Sequence, residues 1–358
     1  MRGGTELFPK ITVGLDLGDR VSEVCEVDWR GREVGRGRVV TTRAGLREYF
    51  GGRERCRVVL EAGTHSPWVS RELEALGHEV VVGDPSRLYG GRRKKKSDRL
   101  DARYLARQGR ADVELVYPIR HRGEQAQRDL AVIRARDQVV RTRTKLINHV
   151  RGAVKSVGGR IGRCSAEAFA KRAVRELPEG VGEALLPLLE LIEELTARIR
   201  AYDRQIERLV ERYPEAVRLR QIKGVGPVTA VAYVLLVEDA RRFLRSRQVG
   251  AFFGLVPRLA ESGGSEPQLR ISKAGDELGR RLLISAAHYI LGPHGPECDL
   301  RRYGERICAR GGKNAKKRAV VAVARKLAVL MHRLWVSGSV YDPDYQRRRR
   351  ERRRLQLA

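Results

Sequence analysis

Long apolar runs are missing from this sequence. The longest, Val225 to Val237, falls far short of the roughly 20 residues that cross a bilayer, and is expected to form a buried helix. No charged segment followed by an apolar signal core opens the chain, which predicts a cytoplasmic protein. Cysteine is scarce: Cys25, Cys56, Cys164, Cys298 and Cys308 are odd in number and lack C-x-x-C spacing. They indicate neither a zinc site nor a disulfide framework and fit a reducing compartment. Acids are the minority charge, 44 Asp and Glu against 73 Lys and Arg in 358 residues, a formal charge of +29. Such an excess repels itself in a compact state, and a polyanion that neutralises it explains why it is kept. Nucleic acid is the leading partner. An anionic membrane surface fits less well, because the basic residues span the whole length and neither end carries an amphipathic anchor.

What is present is ordered. Residues 11–17, 22–28 and 34–40 read as three strands joined by the turns Gly18 to Arg20 and Arg30 to Arg32. A helix over 44–50, a strand over 57–60, a helix over 67–76, a strand over 79–82 and a helix opened by Ser97 follow. An antiparallel meander followed by alternating helix and strand is the order of a ribonuclease H-like domain. From about Gln125 the pattern is helical, and Leu188, Ile192, Leu195, Ile199, Tyr202, Ile206, Leu209 and Tyr213 make a coiled-coil seam, within the chain or between subunits. The expected class is α/β plus α: a mixed-sheet domain over 1–122, a helical coiled coil over 123–215, a mainly helical domain over 216–341, and a disordered basic tail over 342–358.

In a chain short of acids, four stand at telling places. Asp16 ends the run Ile11 to Leu15, Glu61 ends Arg57 to Leu60, and Asp98 and Asp101 open the helix after Ser97. Two acids at strand ends and two at i and i+3 on one helix face can converge on a point. Their mutual repulsion is relieved by cations. Oxygen donors favour Mg²⁺, with Mn²⁺ as substitute, and four carboxylates match two divalent ions of the kind that drives displacement at phosphorus. The plainer reading caps a helix with Asp98 and Asp101, pairs them with Arg99 and Arg103, and leaves Asp16 in a turn; the strand-end positions weigh against it.

Arg92, Arg93, Lys94, Lys95 and Lys96 precede that helix and would hold phosphates at the mouth of the acidic cluster. Lys223, Gly224 and Gly226 resemble a helix-hairpin-helix turn that offers backbone N–H groups to phosphate, although a plain turn between helices reads equally well. Arg270 and Lys273 suit phosphate clamping. His65 and His288 are taken as structural.

The segments Val13-Gly-Leu-Asp16, Leu60-Glu-Ala-Gly63, Lys96-Ser-Asp-Arg-Leu-Asp-Ala102, Gly224-Val-Gly226, Phe253-Gly-Leu-Val-Pro257, Ser262-Gly263 and Ile271-Ser-Lys-Ala-Gly275 together resemble the IS110-type insertion-sequence transposases, in order and over nearly the whole chain. The resemblance implies a RuvC-like domain with Asp16, Glu61, Asp98 and Asp101 as DEDD metal ligands. It also implies a catalytic serine, matched by Ser262, with Ser265 and Ser272 as local competitors. Ala62 to His65 and the arginine-rich tail depart from the shared pattern. The resemblance further implies a guiding noncoding RNA beside donor and target DNA.

The function expected is therefore strand exchange through a phosphoserine, activated by the carboxylates when the domains close, in a dimer or tetramer. A hydrolytic junction resolvase that uses only the carboxylates is the first rival, and a non-catalytic nucleic-acid-binding protein the second.

Overall fold

The computed structural model describes residues 9–88, 97–258 and 269–355. The chain forms two compact units, residues 1–122 and 123–358.

The first unit is a sheet with helices on both faces. Its elements are β1 (Thr12–Asp16), β2 (Val21–Val27), β3 (Glu33–Val40), α1 (Arg43–Phe50), β4 (Arg57–Glu61), α2 (Ser66–Ala75), β5 (Glu79–Gly83), α3 (Pro85–Leu88), α4 (Asp98–Ala111) and β6 (Pro118–Ile119). The strand order is β3-β2-β1-β4-β5-β6. β1, β2 and β3 pair antiparallel, β1, β4 and β5 pair parallel, and β6 closes one edge antiparallel. This mixed six-stranded sheet is consistent with a ribonuclease H-like domain. Strand parity explains the layers. Val13, Leu15, Val58 and Leu60 face a core completed by Leu46 and Phe50 of α1 and Val69 and Leu73 of α2. The opposite parity faces α4, where Cys25 and Val27 meet Ala102 and Ala106. Central parallel strands are covered on both faces, so β1 and β4 read as near-continuous apolar runs.

The approach of α4 is set by glycine. A Cβ on Gly14 would lie 1.9 Å from the Ala102 carbonyl oxygen, and one on Gly109 would lie 2.3 Å from Val59 Cγ2. Helix α4 thus lies directly on β1 and β4. Ser97 caps it, its Oγ accepting from the Leu100 N–H at 3.4 Å. α3, a 3₁₀ turn over Val113–Val116 and β6 carry too few residues to show a period, and nothing in the local sequence pattern announces them.

The second unit is helical: α5 (Glu124–Ser156), α6 (Phe169–Arg175), α7 (Gly182–Arg212), α8 (Pro214–Leu219), α9 (Pro227–Val237), α10 (Gln248–Phe252), α11 (Glu277–Leu291), α12 (Asp299–Ala309), α13 (Ala315–Ser337) and α14 (Tyr345–Leu355). α5 and α7 lie antiparallel, with Asp129 on Arg212, Arg136 on Asp203 and Arg143 on Thr196. The seam of α7 therefore packs within the chain. Its fully buried line is Leu185, Leu189, Ile192, Thr196, Ile199 and Ile206, while Leu188, Leu195 and Tyr202 are only half-buried. Helix α9, apolar on all sides, is buried from Ala230 to Val237. The Tyr233 hydroxyl donates to the Ala328 carbonyl at 2.7 Å. Leu130, Ile133, Ile206 and Leu209 belong to this same core, so packing is continuous across the division expected at 215/216.

The tail expected to be disordered is a helix, α14. Acids around its start supply the reason: Asp344, just before it, accepts from Arg302 at 2.5 Å, and Asp299, at the start of α12, accepts from the Gln346 N–H at 2.6 Å. Among the described residues, no helix is long and apolar enough to cross a membrane.

Candidate active site

Asp16 and Glu61 are the last residues of two neighbouring parallel strands, in a register that pairs Leu15 with Leu60. Both have the parity of Gly14 and Val59, so both lie on the face that α4 covers. Arg99 of the first turn pairs with Glu23, which stands opposite Asp16 in the sheet, so the first turn of α4 lies toward the end of β1 that carries Asp16. Asp101 belongs to the buried stripe of that helix with Ala102, Leu105, Ala106 and Gly109, and is 4% exposed. Asp98 is exposed; Asp16 and Glu61 are half-buried. Asp16 and Glu61 thus share one end of the face that α4 covers, Asp101 lies on the buried stripe of α4, and Asp98 is exposed in the same first turn.

The surroundings bear on the plainer reading of the two helix acids. Arg99 pairs with Glu23 at 3.7 Å and Arg103 with Glu33 at 3.3 Å, so both arginines reach across to acids of the meander. Asp16 and Asp101 each interact with another group. Among the described residues, no three His, Cys, Asp or Glu side chains are gathered closely enough to hold a metal ion as a group. The donor chemistry, oxygen throughout, nonetheless suits a hard divalent cation. His65 is tied down structurally: its Nδ1 accepts from Trp68 Nε1 at 3.1 Å and its Nε2 lies 3.3 Å from Asp19.

The remaining predicted residues divide. Arg92 to Lys96, Ser262 and Ser265 lie outside the described residues. Lys223 and Gly226 are exposed in the turn before α9, and Gly224 takes φ +102°, which favours glycine. Arg270 and Lys273 are exposed on one arm of a neck whose two arms are joined by backbone bonds from the Arg258 N–H to the Arg270 carbonyl at 2.9 Å and from the Ser272 N–H to the Val256 carbonyl at 2.8 Å. Buried Arg280 braces that neck from α11, donating to the carbonyls of Phe253 and Ala274. No periodicity marks Arg280 as such a brace. Gly14 was open to detection, as a small residue interrupting an apolar strand.

Comparison with known proteins settles the family. Residues 216–301 match the family model described as "Transposase IS116/IS110/IS902 family", and residues 13–158 match a DEDD model described as "Transposase". A "Probable family 20 transposase" of Pseudomonas aeruginosa is 32% identical over 92% of this chain and 98% of its own length. The chain belongs to the IS116/IS110/IS902 transposase family. Other relatives in this family include the transposase for insertion sequence element IS1111A of Coxiella burnetii, 31% identical over 92% of this chain and 90% of its own. The transposase for IS1328 of Yersinia enterocolitica is 27% identical over 94% of this chain and 100% of its own. The DEDD match contains Asp16, Glu61, Asp98 and Asp101.

Proposed function

We propose that this transposase joins and exchanges DNA strands in a metal-dependent reaction, with Asp16, Glu61, Asp98 and Asp101 holding two Mg²⁺ ions, Mn²⁺ being able to substitute. The reading is supported by the strand-end positions of Asp16 and Glu61 on the α4-covered face and by the place of Asp98 and Asp101 in the first turn of α4. Bound there, the ions would stabilise charge on the scissile phosphate and lower the pKa of the attacking group. Asp98, the most exposed of the four, is the acid best placed to meet a ligand from solvent.

The nucleophile in this proposal is Ser262, supported by the family resemblance. Its Oγ attacks phosphorus, its proton passes to a base, and the bond from phosphorus to one strand's oxygen breaks. One phosphoester replaces another, so a hydroxyl from a second strand can reverse the step without ATP. Arg270 and Lys273 provide cations a few residues further along the chain. The basic surface grips backbones, and a guide RNA would supply sequence choice by pairing. Exchange needs several active sites, which makes a dimer or tetramer part of the proposal.

The test compares two variants on element-end DNA. Asp98→Asn should lower strand cleavage about 100-fold, the scale of losing one preorganised electrostatic group, while DNA binding persists. Ser262→Ala should abolish the covalent protein–DNA adduct. Cleavage that survives in Ser262→Ala identifies a hydrolytic resolvase, and unchanged cleavage in Asp98→Asn removes the metal reading.

A further inference from the structure

Helix α14 should not hold together by itself. Its 11 residues include seven arginines, Arg347 to Arg350 and Arg352 to Arg354; it is short for an isolated helix, and like charges at i and i+4 repel. What stabilises it is a set of carboxylates around its start. Asp344 pairs with Arg302 at 2.5 Å and Arg347 at 3.3 Å, Asp342 accepts from Arg348, and Asp299 accepts from the Gln346 N–H at 2.6 Å. Acids at a helix N-terminus also favour the helix dipole.

These acids engage the arginines of the first turn and leave others facing water. Arg349 and Arg352 are exposed and three residues apart, on the side of Tyr345. Arg333 of α13 stacks over the Tyr345 ring at 5.1 Å and donates to its hydroxyl at 3.4 Å. That hydrogen bond lowers the Tyr345 pKa, with the charges of Arg333, Arg349 and Arg352 adding to the effect. Beside Arg347, α12 and α13 border a cleft of about 230 Å³ whose cations include Arg306 and Lys326. Lys326 Nζ stands 3.9 Å from the centre of the Tyr303 ring.

We propose that α14, with the adjoining faces of α12 and α13, is a preorganised clamp for the phosphodiester backbone of duplex DNA, held in shape by Asp299, Asp342 and Asp344. The exposed groups are planar guanidiniums, suited to phosphate oxygens. The helix is about 16 Å long, enough to follow several phosphates of one strand. The inference rests on the reading of the chain as acting on DNA, and it distinguishes a placed helix from a floating basic tail. A floating tail would bind better with fewer acids near it; a placed helix would bind worse.

The experiment measures binding of the full chain to random-sequence duplex DNA across a salt series. Asp342→Asn/Asp344→Asn, which removes two negative charges, should weaken binding several-fold. Arg349→Gln/Arg352→Gln should reduce the slope of log affinity against log salt by about 0.9 for each phosphate that is no longer neutralised. Equal or tighter binding by the Asp variant overturns the clamp, as does an unchanged slope in the Arg variant. A weakening confined to structured RNA overturns it too and assigns the surface to RNA. If the unaltered chain binds no duplex DNA, the proposed function itself fails; if it binds and both variants match it, only the clamp fails.

Discussion

Asp129 shows how much one carboxylate contributes at the base of the α5–α7 pair. It is 6% exposed and accepts from Arg212 Nη1 on both oxygens at 3.1 Å, from the Tyr213 hydroxyl at 2.6 Å and from Gln125 Nε2 at 3.1 Å. Burial pushes its pKa up, but the bonds from Tyr213, Gln125 and Arg212 outweigh burial and leave it lowered. A lowered folded-state pKa contributes stability that is present above the unfolded value of about 4 and lost as pH falls through the folded one. Asp129→Asn should therefore cost about 2 kcal/mol at neutral pH, a modest figure because Arg212 is half-exposed. Urea unfolding should also show a shallower acid limb below about pH 4 in the variant; identical limbs would refute the assignment. None of this was legible in the sequence, where Asp129 is one acid on a long helix and its partner Arg212 stands 83 residues away.

At the scale of elements, the site depends on how α4 meets β1. The two backbones meet with almost no clearance: Gly14 faces the Ala102 carbonyl, with Ala106 and Gly109 continuing the small-residue line along the helix. Gly14→Ala should destabilise the first unit by about 1–3 kcal/mol, because backbone must move on one side or the other. It should also displace the Asp98 turn from the strand ends. Denaturant midpoints would check the first effect and strand cleavage the second; an unchanged midpoint would mean that the helix does not lie where described. Parity and spacing announced β1 to β5, α1, α2 and α4, but not α3 or β6. Asp16 and Glu61 were readable as strand ends, and Ser97 as a cap. That α4 covers the face carrying both acids depends on the strand order, which no local pattern contains.

For the whole molecule, the +29 charge calls for an anionic partner, and the proposed site calls for divalent cations that relieve the repulsion among its acids. If the four carboxylates hold Mg²⁺, then Mg²⁺ at about 100 times its Kd should stabilise the chain by about 2.7 kcal/mol, reversibly with chelator. Asp16→Asn/Asp101→Asn should abolish that shift in thermal unfolding. A shift of the same size in the variant would place the ions elsewhere.

The sequence by itself determined the first five strands and the helices between them, the basic character, the candidate acids and the burial of α9, because hydrophobic period, capping and turn chemistry act over a few neighbouring residues. Tertiary structure alone decided that the α7 seam closes on α5, that α5 and α7 share a core with the C-terminal helices, and that the arginine tail is a helix. In each case the deciding partner is remote in the chain: Asp203 answers Arg136, Leu130 packs in the core of α9, and Arg302 holds Asp344. Packing and charge pairing are set by distance in space, which a short window of residues does not encode.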